Sequence, residues 1–128
     1  MKALLDTHTF LWWVTNNLQL SSTVKSILSE RNNRIFFSAA SSWEIAIKAQ
    51  LSKLELPSNP EVYIAEQLEI NSFQVLPIEL KYTLQTYYLP NHHKDPFDRI
   101  LVAQSQVENL PLLTLDPKIA QYQVSIIW

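Results

Sequence analysis

Arg34-Ile35-Phe36-Phe37-Ser38, followed without a spacer by Ala39-Ala40-Ser41-Ser42-Trp43-Glu44-Ile45, is the stretch that decides the fold. A short run with an apolar centre reads as a strand buried on both faces. The residues after it take up a helical period and carry Glu44 on the first turn. The same rhythm recurs outward. Lys2 to Leu5 reads as a strand that ends on Asp6, Phe73 to Leu76 as another, and Leu112 to Leu115 as a fourth that runs into Asp116. Val124 to Ile127 reads as a fifth strand, at an edge. Strands alternating with helical segments predict an α/β domain over residues 1–128, with a mostly parallel central sheet of four to five strands flanked by helices.

Start signals support the helices between the strands. Ser21-Ser22 precedes Val24, Ile27 and Leu28, Asn59-Pro60 precedes Val62, Ile64, Ala65 and Leu68, and Asp95-Pro96 precedes Phe97, Ile100, Leu101 and Ala103. Each start offers a cap residue, and two have Pro in the first helical position. The stop signals are unusual because the 128-residue chain contains no glycine, where a share of about 7% would supply roughly nine. Asn tolerates the left-handed conformation next best, and Asn16-Asn17, Asn32-Asn33, Asn71 and Asn109 all fall at predicted element ends.

That composition also removes whole classes of chemistry. Without glycine there is neither a phosphate-cradling loop nor a dinucleotide fingerprint. Without cysteine there is no disulfide framework, thiol nucleophile or cysteine-held metal. No apolar run approaches the ~18 residues of a membrane span, and Met1 to Leu5 is too short for a secretory leader, so the expected location is the cytoplasm.

What remains informative is the placement of the acids. The twelve acidic residues are eight Glu and four Asp. Asp6 and Asp116 follow predicted strands directly, while Asp95 and Asp98 open the helix that leads into the fourth strand. In an open parallel sheet the ligand crevice lies beyond the carboxyl ends of the strands, and Asp6, Glu44 and Asp116 meet there if the first, second and fourth strands are neighbours. Carboxylates gathered in one crevice repel one another unless a cation is held between them, and a hard divalent ion such as Mg²⁺ or Mn²⁺ suits oxygen ligands. Each acid also has an ordinary use. Asp95 and Asp116 precede prolines as N-caps do, Asp98 sits well with the helix dipole, and Ser41 with Glu44 has the spacing of a capping box.

At these residues the chain resembles the PIN-domain family, in its branch of VapC-type toxins. The resemblance rests on Leu4-Leu5-Asp6-Thr7-His8 with Leu11-Trp12-Trp13, on Ser38-Ala39-Ala40-Ser41 with Trp43-Glu44-Ile45-Ala46 and Lys48, on His92 to Arg99 running to Ala103-Gln104, and on Leu112-Leu113-Thr114-Leu115-Asp116. It implies a metal-dependent endoribonuclease in which Asp6, Glu44, Asp98 and Asp116 hold one or two Mg²⁺ or Mn²⁺ ions. Thr114 matches a hydroxyl residue of the same pocket. The resemblance also implies an RNA substrate, a homodimer and a cognate antitoxin protein. Ser52, Asn109 and Gln123 stand where related sequences commonly have Gly.

Other residues near the acids have two readings each. His93, in the loop with His92 and Lys94, is a candidate for phosphate contact or proton transfer, against a solvated loop residue. Arg99 is a fork for RNA phosphate or a partner for a carboxylate, and Asp95 is read chiefly as a cap. His8 reads as a packed or helix-start residue. Phe10-Leu11-Trp12-Trp13 reads first as an apolar block facing the core or a second subunit, and second as a platform for RNA bases. With the four proposed ligands set aside, eight acids face ten Lys and Arg, a body of net charge +2 that accepts RNA. Two other readings are a receiver-type phosphotransfer domain, which would want an acidic pair near Asp6, and a PIN-like binding module without chemistry.

Overall fold

The computed structural model describes residues 1–128 as five strands in one sheet, flanked by six α-helices. In chain order these are β1 (Lys2–Leu5), α1 (Thr7–Val14), α2 (Ser22–Ser29), β2 (Arg34–Ser38), α3 (Ala39–Gln50), α4 (Pro60–Asn71), β3 (Gln74–Leu76), α5 (Leu80–Gln85), α6 (Pro96–Glu108), β4 (Leu112–Leu113) and β5 (Ile126–Ile127). Short 3₁₀ turns cover Thr86–Tyr88 and Ile119–Gln121. No helix is long and apolar enough to cross a membrane.

The sheet order is β3-β2-β1-β4-β5 and all four pairings are parallel. β1 therefore lies between β2 and β4, as the convergence of the acids requires. Chain direction across the sheet reverses at β1, because β2 and β3 build out on one side and β4 and β5 on the other. A receiver-type domain has the order 2-1-3-4-5, which this sheet does not follow.

Strand periodicity sorts the core onto two faces. Ala3, Leu5, Ile35, Phe37 and Leu113 share one cluster with Phe10 of α1, Val24 and Leu28 of α2, Ile45 of α3 and Ile64 of α4. Leu4 and Leu112 point the other way and pack with Leu101 and Val102 of α6, Ile119 and Tyr122. The alternation continues past the strand ends. Asp6 has the parity of Leu4 and Thr114 that of Leu112, so both side chains emerge on the α6 side.

The helix starts fall as expected, with Ser21, Asn59 and Asp95 accepting from backbone N–H groups of the first turn. Three sequence expectations change. Strand three begins at Gln74, leaving Phe73 as a buried residue before it, and the last two strands shrink to two residues each. The cap of α3 is Ser38, which accepts from the Ala40 N–H at 3.0 Å. Ser41 therefore lies inside the helix and no capping box with Glu44 forms. Of the asparagines, only Asn16 and Asn109 take positive φ. Ser72 replaces Asn71 in that role, and Ser52 joins them at φ 58°. Asn33 instead ties down the chain before β2, donating to the Ile27 carbonyl and accepting from the amino terminus.

Candidate active site

Asp6 occupies the N-cap position of α1 in extended backbone, yet its carboxylate caps nothing. An Asp in that position ordinarily satisfies an amide of the first turn. Here Oδ2 accepts from the Thr114 hydroxyl at 2.7 Å, and the side chain is buried at the carboxyl ends of β1 and β4. Thr114 is itself fully buried and its Oγ1 also accepts from the Asp116 N–H at 3.1 Å. One hydroxyl thus joins the first strand to the turn that carries Asp116.

Glu44 enters from α3 and Asp98 from the first turn of α6. Glu44 is buried, and its Oε2 accepts from Lys48 one turn on, at 2.7 Å. That hydrogen bond holds the Lys48 ammonium above its ordinary range, with attraction from Asp95 and Asp98 added. Asp98 is pushed up to about 8, first by burial and then by the charges of Asp6, Asp95, Glu44 and Asp116. Burial also pushes Asp6 up, against the Thr114 hydrogen bond and the nearby His8. The repulsion expected from the sequence is thus present in the folded chain.

His93 is drawn into this cluster. Its Nε2 lies 2.9 Å from Asp98 Oδ2 and 3.2 Å from Asp116 Oδ2, and its side chain is only 12% exposed. Its Nδ1 accepts from the Asp95 N–H at 3.3 Å, which leaves the ring proton on Nε2 between the two carboxylates. The histidine pair therefore divides, since His92 is exposed and packs edge-on to Tyr122 at 5.1 Å between ring centroids.

Ligand atoms of His93, Asp98 and Asp116 lie within 4.8 Å of one another, close enough to hold one ion. Asp6 and Glu44 lie outside that group of three but border it electrostatically. Of three buried side-chain oxygens without a hydrogen-bond partner, two are Asp6 Oδ1 and Glu44 Oε1. Leaving such an acceptor unmet costs about 1–3 kcal/mol, and more when it is charged. Surplus negative charge and orphaned oxygens at one place fit a hard divalent cation.

The two oxygens of Asp116 face different partners. Oδ1 accepts from the Lys118 N–H at 2.8 Å, as a turn residue does, while Oδ2 faces His93. Asp95 caps α6 through the Phe97 and Asp98 N–H groups. Arg99 forms no ion pair with a carboxylate. Its guanidinium donates to the carbonyls of Thr86, Leu89, Pro90 and His93 and to the Tyr122 hydroxyl. All of its hydrogen bonds hold the loop that delivers His93.

Three contacts at the site have no place in the sequence reading. The ion pair of Lys48 with Glu44 is signalled by their i,i+4 spacing. The buried contact between Thr7 and Ser41, 2.8 Å between hydroxyl oxygens, and the support of His93 by Tyr122 depend on elements far apart in sequence and left no local signal.

Comparison with known proteins places this geometry in context. The PIN domain family profile matches residues 3–124. A sequence comparison with curated proteins returns no significant match. Among solved structures, VapBC2 from Rickettsia felis bound to a DNA fragment from its promoter is similar with a TM-score of 0.73 at 16% identity, over 99% of this chain and 98% of that one. VapBC-1 from nontypeable Haemophilus influenzae gives 0.69 at 18% identity over 99% and 97%. FitAcB from Neisseria gonorrhoeae gives 0.66 at 17% identity over 100% and 97%. At these identities the likeness establishes the shared fold, over essentially the full length of each chain.

Proposed function

The chain belongs to the PIN domain family, and from that premise we propose that it is a metal-dependent endoribonuclease, the toxin of a toxin–antitoxin pair acting in the cytoplasm. The observation that carries this reading is the buried acidic cluster in which Asp6 Oδ1 and Glu44 Oε1 are left without partners beside Asp98 and Asp116. Asp6, Glu44, Asp98 and Asp116 are the residues to hold Mg²⁺ or Mn²⁺. Such an ion lowers the pKa of bound water and stabilises the charge that develops at phosphorus during hydrolysis.

The chain's own residues orient this site. Thr114 fixes the rotamer of Asp6 and the backbone of Asp116, and Lys48 offsets the charge of Glu44. The Nε2–H of His93 bridges Asp98 and Asp116, where it can donate a hydrogen bond to an adjacent oxygen. Arg99 and Tyr122 hold the backbone of His93 in place.

An antitoxin partner is supported by the structural neighbours, several of which are toxin–antitoxin complexes covered almost end to end. A homodimer is supported by Leu80, Leu84, Tyr87 and Tyr88, which are 72%, 60%, 85% and 75% exposed along α5 and the 3₁₀ turn that follows it.

The test is cleavage of single-stranded and structured RNA with Mg²⁺, with Mn²⁺ and with chelator. Cleavage is expected only with metal and is expected to be lost in Asp6→Asn and Asp98→Asn with the fold intact. Variants that cut as well as the parent would refute the assignment.

A further inference from the structure

The apolar block of α1 divides in the fold. Trp13 is held by structure, its indole N–H donating to Asn71 Oδ1 at 2.9 Å. Trp12 forms a T-shaped pair with Trp128 at 5.8 Å and a tilted pair with His8 at 6.1 Å between ring centroids, and it remains only half-buried. It lies where two cavities meet. The smaller, of about 300 Å³, is lined by Asp6, Asp116, His8 and Trp12, and so opens on the acidic cluster. The larger, of about 670 Å³, shares His8 and Trp12 and continues past Lys48, Lys53, Glu55 and Tyr63.

The larger cavity is shaped by a local backbone feature. After α3 the chain turns at Ser52 in left-handed conformation, φ 58°, and the Lys53 N–H returns to the Lys48 carbonyl at 2.9 Å. Lys48 and Lys53 on either side of this turn both line the cavity, as does Glu55. Lys48 uses one of its three donors on Glu44 and is 40% exposed at the side chain, while Lys53 is exposed and in no ion pair. Aromatic rings leading away from an acidic centre, with two lysines among the lining of the same groove, match the base and phosphate chemistry of a single strand.

We propose that this groove is a nucleotide subsite: the base of a single-stranded RNA residue next to the scissile phosphate stacks on Trp12 beside His8, and its outer phosphate lies over Lys53 and Lys48. The proposal rests on the endoribonuclease reading for its substrate, but its contacts lie outside the acidic cluster and are separately testable. It gives Trp12 a role that Trp13 does not share.

The experiment measures binding and cleavage on the same RNA. An unstructured eight-nucleotide RNA carrying a dye is titrated by anisotropy in Ca²⁺, which occupies carboxylate sites, and its cleavage is followed in Mn²⁺. A stacked base contributes enough that Trp12→Ala is expected to weaken binding roughly 5- to 100-fold. Trp12→Phe, which keeps an aromatic face and the packing, is expected to stay within threefold of the parent. Lys53→Gln is expected to lower the slope of log affinity against log salt by about 0.7, one phosphate contact on a single strand.

An abasic residue introduced at each position in turn is expected to weaken binding to the parent most at one position, and Trp12→Ala is expected to erase that difference. A Trp12→Ala protein that binds as the parent does, or that keeps the abasic sensitivity, overturns the subsite. So does displacement of the RNA by a glutamate-rich peptide of equal charge, since the groove would then select charge and not a base. Failure of the parent to bind overturns it as well. Binding that depends on Trp12 without any cleavage in Mn²⁺ supports the subsite and overturns the nuclease reading instead.

Discussion

The Thr114 hydroxyl donates to Asp6 Oδ2 at 2.7 Å, joining residues 108 positions apart at the carboxyl ends of two neighbouring parallel strands. The same oxygen accepts from the Asp116 N–H, so a single buried side chain sets the position of two acids. Thr114→Val keeps the shape and removes both hydrogen bonds. It is expected to destabilise the fold by about 1–3 kcal/mol, the cost of buried groups left unmet. RNA cleavage in Mn²⁺ is expected to fall at least tenfold, and Thr114→Ser to recover most of it. Urea unfolding together with cleavage rates checks both effects.

Asp98 is expected to give the metal-free protein a pH dependence, to which Asp6, also raised by burial, adds in the same direction. The Asp98 carboxyl is raised from 3.8 to about 8 by burial and by the neighbouring carboxylates. Between those values the folded chain binds more protons than the unfolded chain, so unfolding free energy falls as pH rises. The stability associated with this proton is complete below about pH 4 and lost progressively through about pH 8. In chelator the melting temperature is expected to fall from about pH 5 to about pH 8, and Asp98→Asn is expected to flatten that trend. Mn²⁺ at roughly a hundred times its Kd is expected to add about 2.7 kcal/mol at the upper end. A calorimetric series across pH, with and without Mn²⁺, separates these contributions.

Arg99 is expected to act on the loop and not on RNA. Its guanidinium is committed to four backbone carbonyls and the Tyr122 hydroxyl, and a lysine cannot reproduce that fork. Arg99→Lys is expected to lose about 2 kcal/mol of stability, as for hydrogen bonds from a charged donor. Hydrogen exchange is expected to speed up between residues 86 and 95. The salt dependence of RNA binding is expected to stay as in the parent, whereas a lost phosphate contact would lower it.

The absence of glycine makes a graded stability prediction. Asn16, Ser52, Ser72 and Asn109 all hold positive φ, a conformation that costs a residue with a Cβ about 1–2 kcal/mol and that Asn tolerates better than Ser. Replacement by glycine relieves this cost but frees the unfolded chain. Ser52→Gly and Ser72→Gly are therefore expected to raise stability by roughly 0.5–1 kcal/mol, and Asn16→Gly and Asn109→Gly by less. Chemical denaturation of the four single variants gives the order directly.

Legibility in the sequence followed the range of each interaction. The strand Arg34–Ser38 and the helix starts at Ser21, Asn59 and Asp95 are local, since their apolar period and cap hydrogen bonds span only a few residues. Ser41 misled because its spacing to Glu44 satisfies a capping box, while Ser38 was already in place to cap the same helix. His93 is a candidate in the sequence, but its enclosure between Asp98 and Asp116 is set by the fold.

By itself the sequence determined the α/β class, a sheet of four to five strands and the residue types able to gather at their carboxyl ends, because periodicity and caps are written within each segment. Only the tertiary structure decided what each acid does. Asp6 and Asp95 both stand at helix N-cap positions, yet Asp95 caps and Asp6 turns to Thr114. The difference is parity and neighbourhood: Asp6 continues β1 on the face that α6 covers, where a buried hydroxyl from β4 is waiting, and no property of residues 1–14 specifies that partner.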